Sequence, residues 1–297
     1  MGKLYLGNTP VTFMNFSQSS DSRLFGISLN QLLGNVDSNG TLTQPSLSSM
    51  TFTGVKTIAD SAYDSQFANK TFDANSIINF PDLEVIGSHG MNQCFYRSSG
   101  IKVVNFNKLT TVNSYSLNSA FMSVQSLESI NFPLLKEIQA NVMNSMAQSC
   151  TALTSIGFPL LEKIYNNGMV SSFKYCQSLT SIGFPSLVFI DSLGMDSTFS
   201  ECTSITNVSF PALEEIGASG MKATFYGCTA LQSISFPALT TVNSASFGAR
   251  SNTNYCFGNC TSLTEIHFPA AMQATIESMQ GYSAKWGATN AIIYFDL

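Results

Sequence analysis

The side chains with the most chemical reach in this sequence are seven cysteines and two histidines, and their spacing decides what they do. Cys150, Cys176, Cys202 and Cys228 follow one another at intervals of 26 residues, and Cys260 comes 32 later. Cys94 and Cys256 share a second position, each directly before a phenylalanine, Phe95 or Phe257. A zinc centre would need three or four ligands converging on one point, commonly with a Cys-x-x-Cys pair. No such pair occurs, and Cys256-x-x-x-Cys260 has only His89 and His267 to complete it, so no metal and no other cofactor is expected. Residues at one position of successive parallel strands lie about 4.7–4.9 Å apart with parallel Cβ vectors, further than the roughly 3.8 Å Cβ separation of a disulfide. The five-cysteine ladder is therefore expected to be buried and reduced. Nucleophilic catalysis would need a base beside a strained serine elbow, and neither histidine accompanies Gly-x-Ser-x-Gly. Glycosidase chemistry would need paired carboxylates on one face. The one adjacent acidic pair inside the array, Glu214-Glu215, has Val188-Phe189 and Thr240-Thr241 beside it in the neighbouring repeats. No catalytic residue is assigned, and a carbohydrate-processing solenoid stands only as the enzymatic alternative.

The elements that carry these residues are repeats. Phe80, Phe106, Phe132, Phe158, Phe184, Phe210 and Phe236 are spaced by 26, and Phe268 follows after 32, with an insert near Gly248–Thr253. A constant period of this length signifies a solenoid, because one unit cannot bury its apolar face without neighbours. Two residues before each marker stands Ile or Val, so Ile-x-Phe alternates as in a strand, which should lie parallel to its neighbours. Leu and Ile three and six residues after the marker continue the core past a proline corner. Met169/Phe173/Cys176, Met195/Phe199/Cys202 and Met221/Phe225/Cys228 then fall at i, i+4, i+7, which predicts a short helix. Gly90, Gly168, Gly194 and Gly220 are expected to turn the chain into it with angles open to glycine. The expected fold is an α/β solenoid of the leucine-rich-repeat kind, about nine rungs over residues 47–268, each a short parallel strand, a corner and a short helix.

Residues 1–46 do not keep the period and are expected to form an N-terminal cap, with short strands at Lys3–Leu6 and Pro10–Met14. Residues 269–297 are expected to form a C-terminal cap of helix plus strand. Charged residues make up only 10% of the chain, and the net charge is −5. That gives no basic stripe for nucleic acid and no cationic amphipathic helix for a membrane surface. No 18-residue apolar run and no signal peptide are visible, so no membrane insertion is expected. A monomer is expected.

The segments Phe199-Ser-Glu-Cys-Thr-Ser-Ile-Thr-Asn-Val208, Phe225-Tyr-Gly-Cys-Thr-Ala-Leu-Gln-Ser-Ile234 and Phe257-Gly-Asn-Cys-Thr-Ser-Leu-Thr-Glu-Ile266 resemble the F-x-x-C-x-x-L-x-x-I run of the BspA-like leucine-rich repeat family. The resemblance covers about three quarters of the chain. It implies a bacterial surface or secreted interaction protein, often adhesive, with a host protein or glycan as partner and an extracellular or cell-surface location. The opening Lys3-Leu-Tyr-Leu-Gly-Asn-Thr-Pro-Val11 resembles segments of phage or prophage structural proteins, which implies a virion tail or surface component as the alternative.

The residues flanking the inward Ile and Phe of each strand must point outward. One row contains Ser129, Ser155, Ser181, Asn207 and Ser233; the other contains Asn131, Ser209 and Ser235. Small, neutral and polar, these rows form the candidate binding face. Tyr96, Arg97 and Arg250 form the alternative contact, since tight interfaces favour Tyr and Arg anchors.

Overall fold

The computed structural model describes residues 3–6, 9–11, 35–36, 42–43, 47, 49–248 and 255–297. Two rows of parallel strands and one row of turns enclose a single core along the axis. The first row holds the Ile-x-Phe strands. Met50–Thr53, Thr71–Asn79, Ser99–Asn105, Ser129–Asn131 and Ser155–Gly157 pair in order, then Ser181–Gly183 with Asn207–Ser209, then Ser233–Ser235, Glu265–Phe268 and Ile292–Phe295. The second row comprises two-residue strands from Thr57–Ile58 to Thr241–Val242 and carries the Ile of the sixth position after the marker. Lys3–Leu6 pairs antiparallel with both Thr9–Val11 and Met50–Thr53, so it lies along the outer edge of the first rung. The result is a parallel β-solenoid of about nine turns with few helices.

The marker phenylalanines stack on one another along the core. Ring centroids from Phe52 through Phe80, Phe106, Phe132 and Phe158 are 4.5, 5.1, 5.1 and 5.0 Å apart. From Phe158 through Phe184, Phe210 and Phe236 they widen to 5.9, 5.6 and 6.0 Å. The proline after most of these rings cannot donate a hydrogen bond and presets the backbone for the second position of a turn. The Leu135, Leu161, Leu187 and Leu213 amides close that turn onto the carbonyls of Phe132, Phe158, Phe184 and Phe210.

The expected helix of each rung is not there. Residues 87–98, and their equivalents in later rungs, form a ribbon of overlapping turns. The amides of Gly90, Asn92, Cys94, Tyr96 and Ser98 each bond to the carbonyl three residues back. The alternate amides of His89, Met91, Gln93, Phe95 and Arg97 instead cross to Ser114, Ser116, Asn118, Ala120 and Met122 of the next rung. His89, Gln93 and Arg97 have φ of 56°, 50° and 54°, and the same four-residue spacing of left-handed residues recurs in later rungs. A ribbon with a four-residue repeat buries positions i, i+4 and i+7 just as a short helix does, which is why the apolar spacing misleads. The role expected of the glycines is corrected too. Gly90, Gly168, Gly194 and Gly220 are not among the positive-φ residues; the strain falls on the residue before each. They are small because a Cβ at Gly194 would press on Ile190 Cγ2 at 3.0 Å and on the Asp191 carbonyl at 3.1 Å.

The cysteine ladder lies on this ribbon, and all seven cysteines are buried and free. Each ladder thiol donates to a carbonyl of the preceding rung: Cys150 to Phe121 at 3.1 Å, Cys176 to Ala147 at 3.3 Å, Cys202 to Phe173 at 3.1 Å, Cys228 to Phe199 at 3.2 Å and Cys260 to Phe225 at 3.0 Å. Ser98 does the same to Phe67 at 2.6 Å, and Val124 fills the same offset in the rung between without a donor, so what the position requires is a small buried side chain. Removal from water pushes the thiols of Cys150, Cys202 and Cys260 up to about 12. A second stack, Phe67–Phe95–Phe121, lies beside this ladder and resumes as Phe173–Phe199–Phe225–Phe257. Ala147 interrupts it, and buried Met143 and Met146 occupy the same rung.

At the C-terminal end a short helix, Gln273–Glu277, precedes the strand Ile292–Phe295, which continues the first row. Trp286 is fully buried between them, 4.9 Å from Phe247.

Three outcomes follow from this packing. Phe199→Ala should cost about 3–5 kcal/mol in denaturant unfolding, the range for truncating a buried aromatic, and a loss near zero would mean that the rung collapses around it. Leu193 holds φ 56° at an offset where Asn141 and Asn167 stand in earlier rungs. Leu193→Asn should therefore raise stability by about 0.5–1 kcal/mol, and a lowered midpoint would show that the leucine side chain outweighs its backbone strain. The buried thiols hold their protons far longer in the folded chain than in the unfolded one. Their contribution is therefore complete below the ordinary thiol value of 9.0 and fades as pH climbs from there toward about 12. The unfolding midpoint should fall across that alkaline range, the fall should shrink in Cys202→Ala, and a thiol dye should label the native protein only after denaturation.

Candidate binding face

The outward rows of the first face are in register as the repeat requires. Ser129 pairs with Ser155, Ser181 with Asn207, and Ser233 with Glu265; Asn131 pairs with Gly157, Gly183 with Ser209, and Ser235 with His267. Ser155, Ser181, Asn207, Ser209 and Ser233 are exposed, while Ser129, Asn131 and Ser235 are half-buried. The hydrogen-bond ladder of this face opens twice, between the strands ending at Gly157 and starting at Ser181, and between those ending at Ser209 and starting at Ser233. The second row pairs without a break from Glu137 to Val242. Together with the wider phenylalanine spacing after Phe158, this means that the first face is spread open relative to the second. At the first opening a Cβ on Gly183 would meet no atom within 4 Å. Here the backbone lies bare to an approaching partner.

The N-terminal part of the same face is built differently. Asn105 donates to Asn79 at 2.7 Å and so bridges two rungs, and Asn131 Oδ1 lies where a Cβ on Gly157 would meet it at 2.5 Å. Ile77 is an exposed apolar residue there. Charge is likewise used between rungs: Lys102–Glu128 at 2.6 Å, Lys108–Asp82 at 2.9 Å, Lys136–Glu162 at 3.2 Å and Lys222–Asp196 at 2.8 Å each bridge neighbouring units. The hydrogen bond from Lys108 holds the Asp82 carboxyl below its usual range.

The remaining chemistry-bearing residues stay apart. Glu214 and Glu215 are both exposed, with Phe189 and Thr241 beside Glu215 in the ladder. Among the described residues no group of three or more His, Cys, Asp or Glu side chains is arranged to hold a metal ion. His89 stacks on Tyr115 at 5.1 Å. His267 is half-buried: its ring stacks on Tyr294 at 4.8 Å, with Nδ1 2.9 Å from Asp296 and Nε2 3.5 Å from Glu265. The signal for that contact was present in the sequence, since Ile293-Tyr294-Phe295 repeats Ile-x-Phe and so foretells one more strand beside His267. Of the alternative contact, Arg97 lies over the Tyr96 ring at 5.0 Å on the ribbon. Arg250 lies outside the described residues. On either side of the insert, the Cys256 amide bonds to the Phe247 carbonyl at 2.9 Å.

Comparison with known proteins places this geometry. A solved structure described as a leucine rich cell surface protein from Faecalibacterium prausnitzii A2-165 is similar over 81% of this chain and 82% of its own, at 14% identity and a TM-score of 0.25. No curated protein sequence matches. No helix among the described residues is long and apolar enough to cross a membrane. The model of the BspA type leucine rich repeat region matches in six copies across residues 40–149, 144–254 and 171–281, a span that takes in the whole stack of phenylalanines and thiols, and the chain belongs to that family.

Proposed function

We propose that this chain is a non-catalytic binding module that adheres to a host protein or glycan from a bacterial cell surface, through Ser129, Ser155, Ser181, Asn207 and Ser233 with Asn131, Ser209 and Ser235. The observation that carries the reading is the opening of the ladder between Gly157 and Ser181, where small exposed side chains flank backbone that no neighbouring rung covers. Such a surface offers many weak hydrogen bonds and no buried anchor, which suits multivalent adhesion better than one tight contact. Membership in the BspA-type family supports the surface setting. The virion setting finds no support in the comparisons. Residues 1–46 and 269–297 serve in this reading as caps, because the edge of a parallel stack must be covered or paired to stay soluble.

The test is adhesion to an array of host proteins and glycans by the chain and by Ser155→Arg/Ser181→Arg. Both positions are exposed, so the double variant should fold normally and lose binding by about tenfold or more, the effect of about 1.4 kcal/mol. Unchanged binding would remove this face from the function.

A further inference from the structure

Beside its second and third rungs the first row of strands departs from the pattern of the later rungs. Thr71–Asn79 and Ser99–Asn105 are far longer than the three-residue strands of later rungs, and their register shifts between Thr71 and Ser76. Gly100 sits at the break with φ 84°, because a Cβ there would lie 2.1 Å from the Phe72 carbonyl oxygen. Bulges of this kind are concentrated near functional sites, where they re-aim side chains. Next to it lies a depression of about 520 Å³ lined by Arg97, Ser98, Ser99, Ser123, Gln125 and Ser126.

Arg97 is the only charged residue in that lining. Its equivalents in later rungs are Ser123, Ser149, Tyr175, Glu201, Gly227 and Asn259, so no other rung offers a cation there. Lysines 56, 102, 108, 136, 163 and 222 pair with carboxylates, whereas Arg97 makes no ion pair among the described residues. The guanidinium is instead held over the Tyr96 ring at 5.0 Å, which leaves its planar donor edge free. The residue also keeps φ at 54°, a left-handed conformation uncommon for arginine and one that Gly227 adopts at the same offset with φ 73°. Ser126 spends its proton on the Ile101 carbonyl at 2.8 Å, which leaves its oxygen to accept, while the buried Ser98 hydroxyl is used up between the Phe67 carbonyl at 2.6 Å and the Lys70 amide at 3.3 Å. Ser99, Ser123 and Gln125 add neutral donors and acceptors. One bidentate cation surrounded by hydroxyls and an amide, with no apolar anchor, matches a ligand that carries one carboxylate on a hydroxyl-rich frame.

We propose that this depression is a subsite for a carboxylated sugar, a uronic or other acidic glycan residue, with Arg97 holding the carboxylate. The proposal rests on the glycan branch of the adhesion reading but uses a different surface, so the two fail separately.

The probes are tri-galacturonic acid, its methyl ester and tetra-glutamate, titrated against the whole chain by calorimetry at low and moderate salt. The acid trisaccharide should bind, its ester should bind about tenfold or more weakly, and Arg97→Gln should lower affinity for the acid by a similar factor and flatten its salt dependence. Arg97→Gly should retain the fold, as Gly227 does at the same offset, and lose the acid sugar equally. Equal binding of acid and ester, equal binding in Arg97→Gln, tetra-glutamate bound as tightly as the sugar, or no binding of the trisaccharide would each overturn the proposal.

Discussion

A backbone amide left without a partner in a protein interior costs about as much as a lost hydrogen bond, and the rungs of this solenoid cannot satisfy their own amides. Along each ribbon only every second N–H turns back to the carbonyl three residues behind it. The others point along the axis and need the next rung. This dependence fixes the rest. Whatever the length of the rung, the amides must stay in step, so equivalents 28 residues apart, Phe52 with Phe80 and Ile58 with Ile86, stack and pair as those 26 apart do. Like residues come to lie over like residues, which is why phenylalanine rings, thiols and asparagine amides all form ladders. Even the ion pairs obey it, joining equivalent or nearly equivalent positions of adjacent rungs instead of neighbours in sequence.

The polar composition follows from the same geometry. Every fourth residue of the ribbon adopts positive φ at a corner that is mostly half-buried, where a turn needs it at its third position. Asparagine tolerates that conformation best among non-glycine residues, and serine is small enough to be accepted. Ser119, Ser123, Ser145, Ser149, Ser171 and Ser197 all occupy such corners, as do Asn141 and Asn167. Much of the serine that gives the chain its uncharged surface is therefore there to turn the backbone. The exceptions carry more information: Arg97, Tyr175, Leu193 and Glu201 are poor residues for this conformation and stand at the same kind of corner.

This explains which parts of the molecule were legible in the sequence. The period, the Ile-x-Phe strands and their register could be read because each depends on an apolar side chain at a fixed offset, and the burial of the cysteines followed from the same count. The helix could not be read correctly. Met169, Phe173 and Cys176 would share a face in a helix and share one in the ribbon, and the difference lies in where alternate amides point. A distinguishing signal did exist in the paired serines four residues apart, Ser145 with Ser149, at places where a helix would favour better helix formers. The outward rows were placed correctly from strand alternation, but the spreading of the first face was invisible, because it depends on which rungs fail to pair.

That spreading bears on how such an array meets a partner. From Glu137 to Val242 the second row of strands is bonded throughout, whereas over the same rungs the first row lets go at two places, where Ser155, Ser181, Ser209 and Ser233 lie. Ile156 and Val208, the inward residues at these openings, are only partly buried, whereas Ile130 is fully buried in a paired strand and Ile182, across the first opening, nearly so. The openings thus combine small polar side chains, uncovered backbone and a glimpse of the core within a few residues. The depression beside Arg97 lies at the opposite, tightly stacked end, where phenylalanine spacing is about 5.1 Å and the strands are longest. The two surfaces therefore differ in kind, small polar side chains over unpaired backbone at the openings and the Arg97 cation beside longer, continuously paired strands, although both are built from one kind of rung.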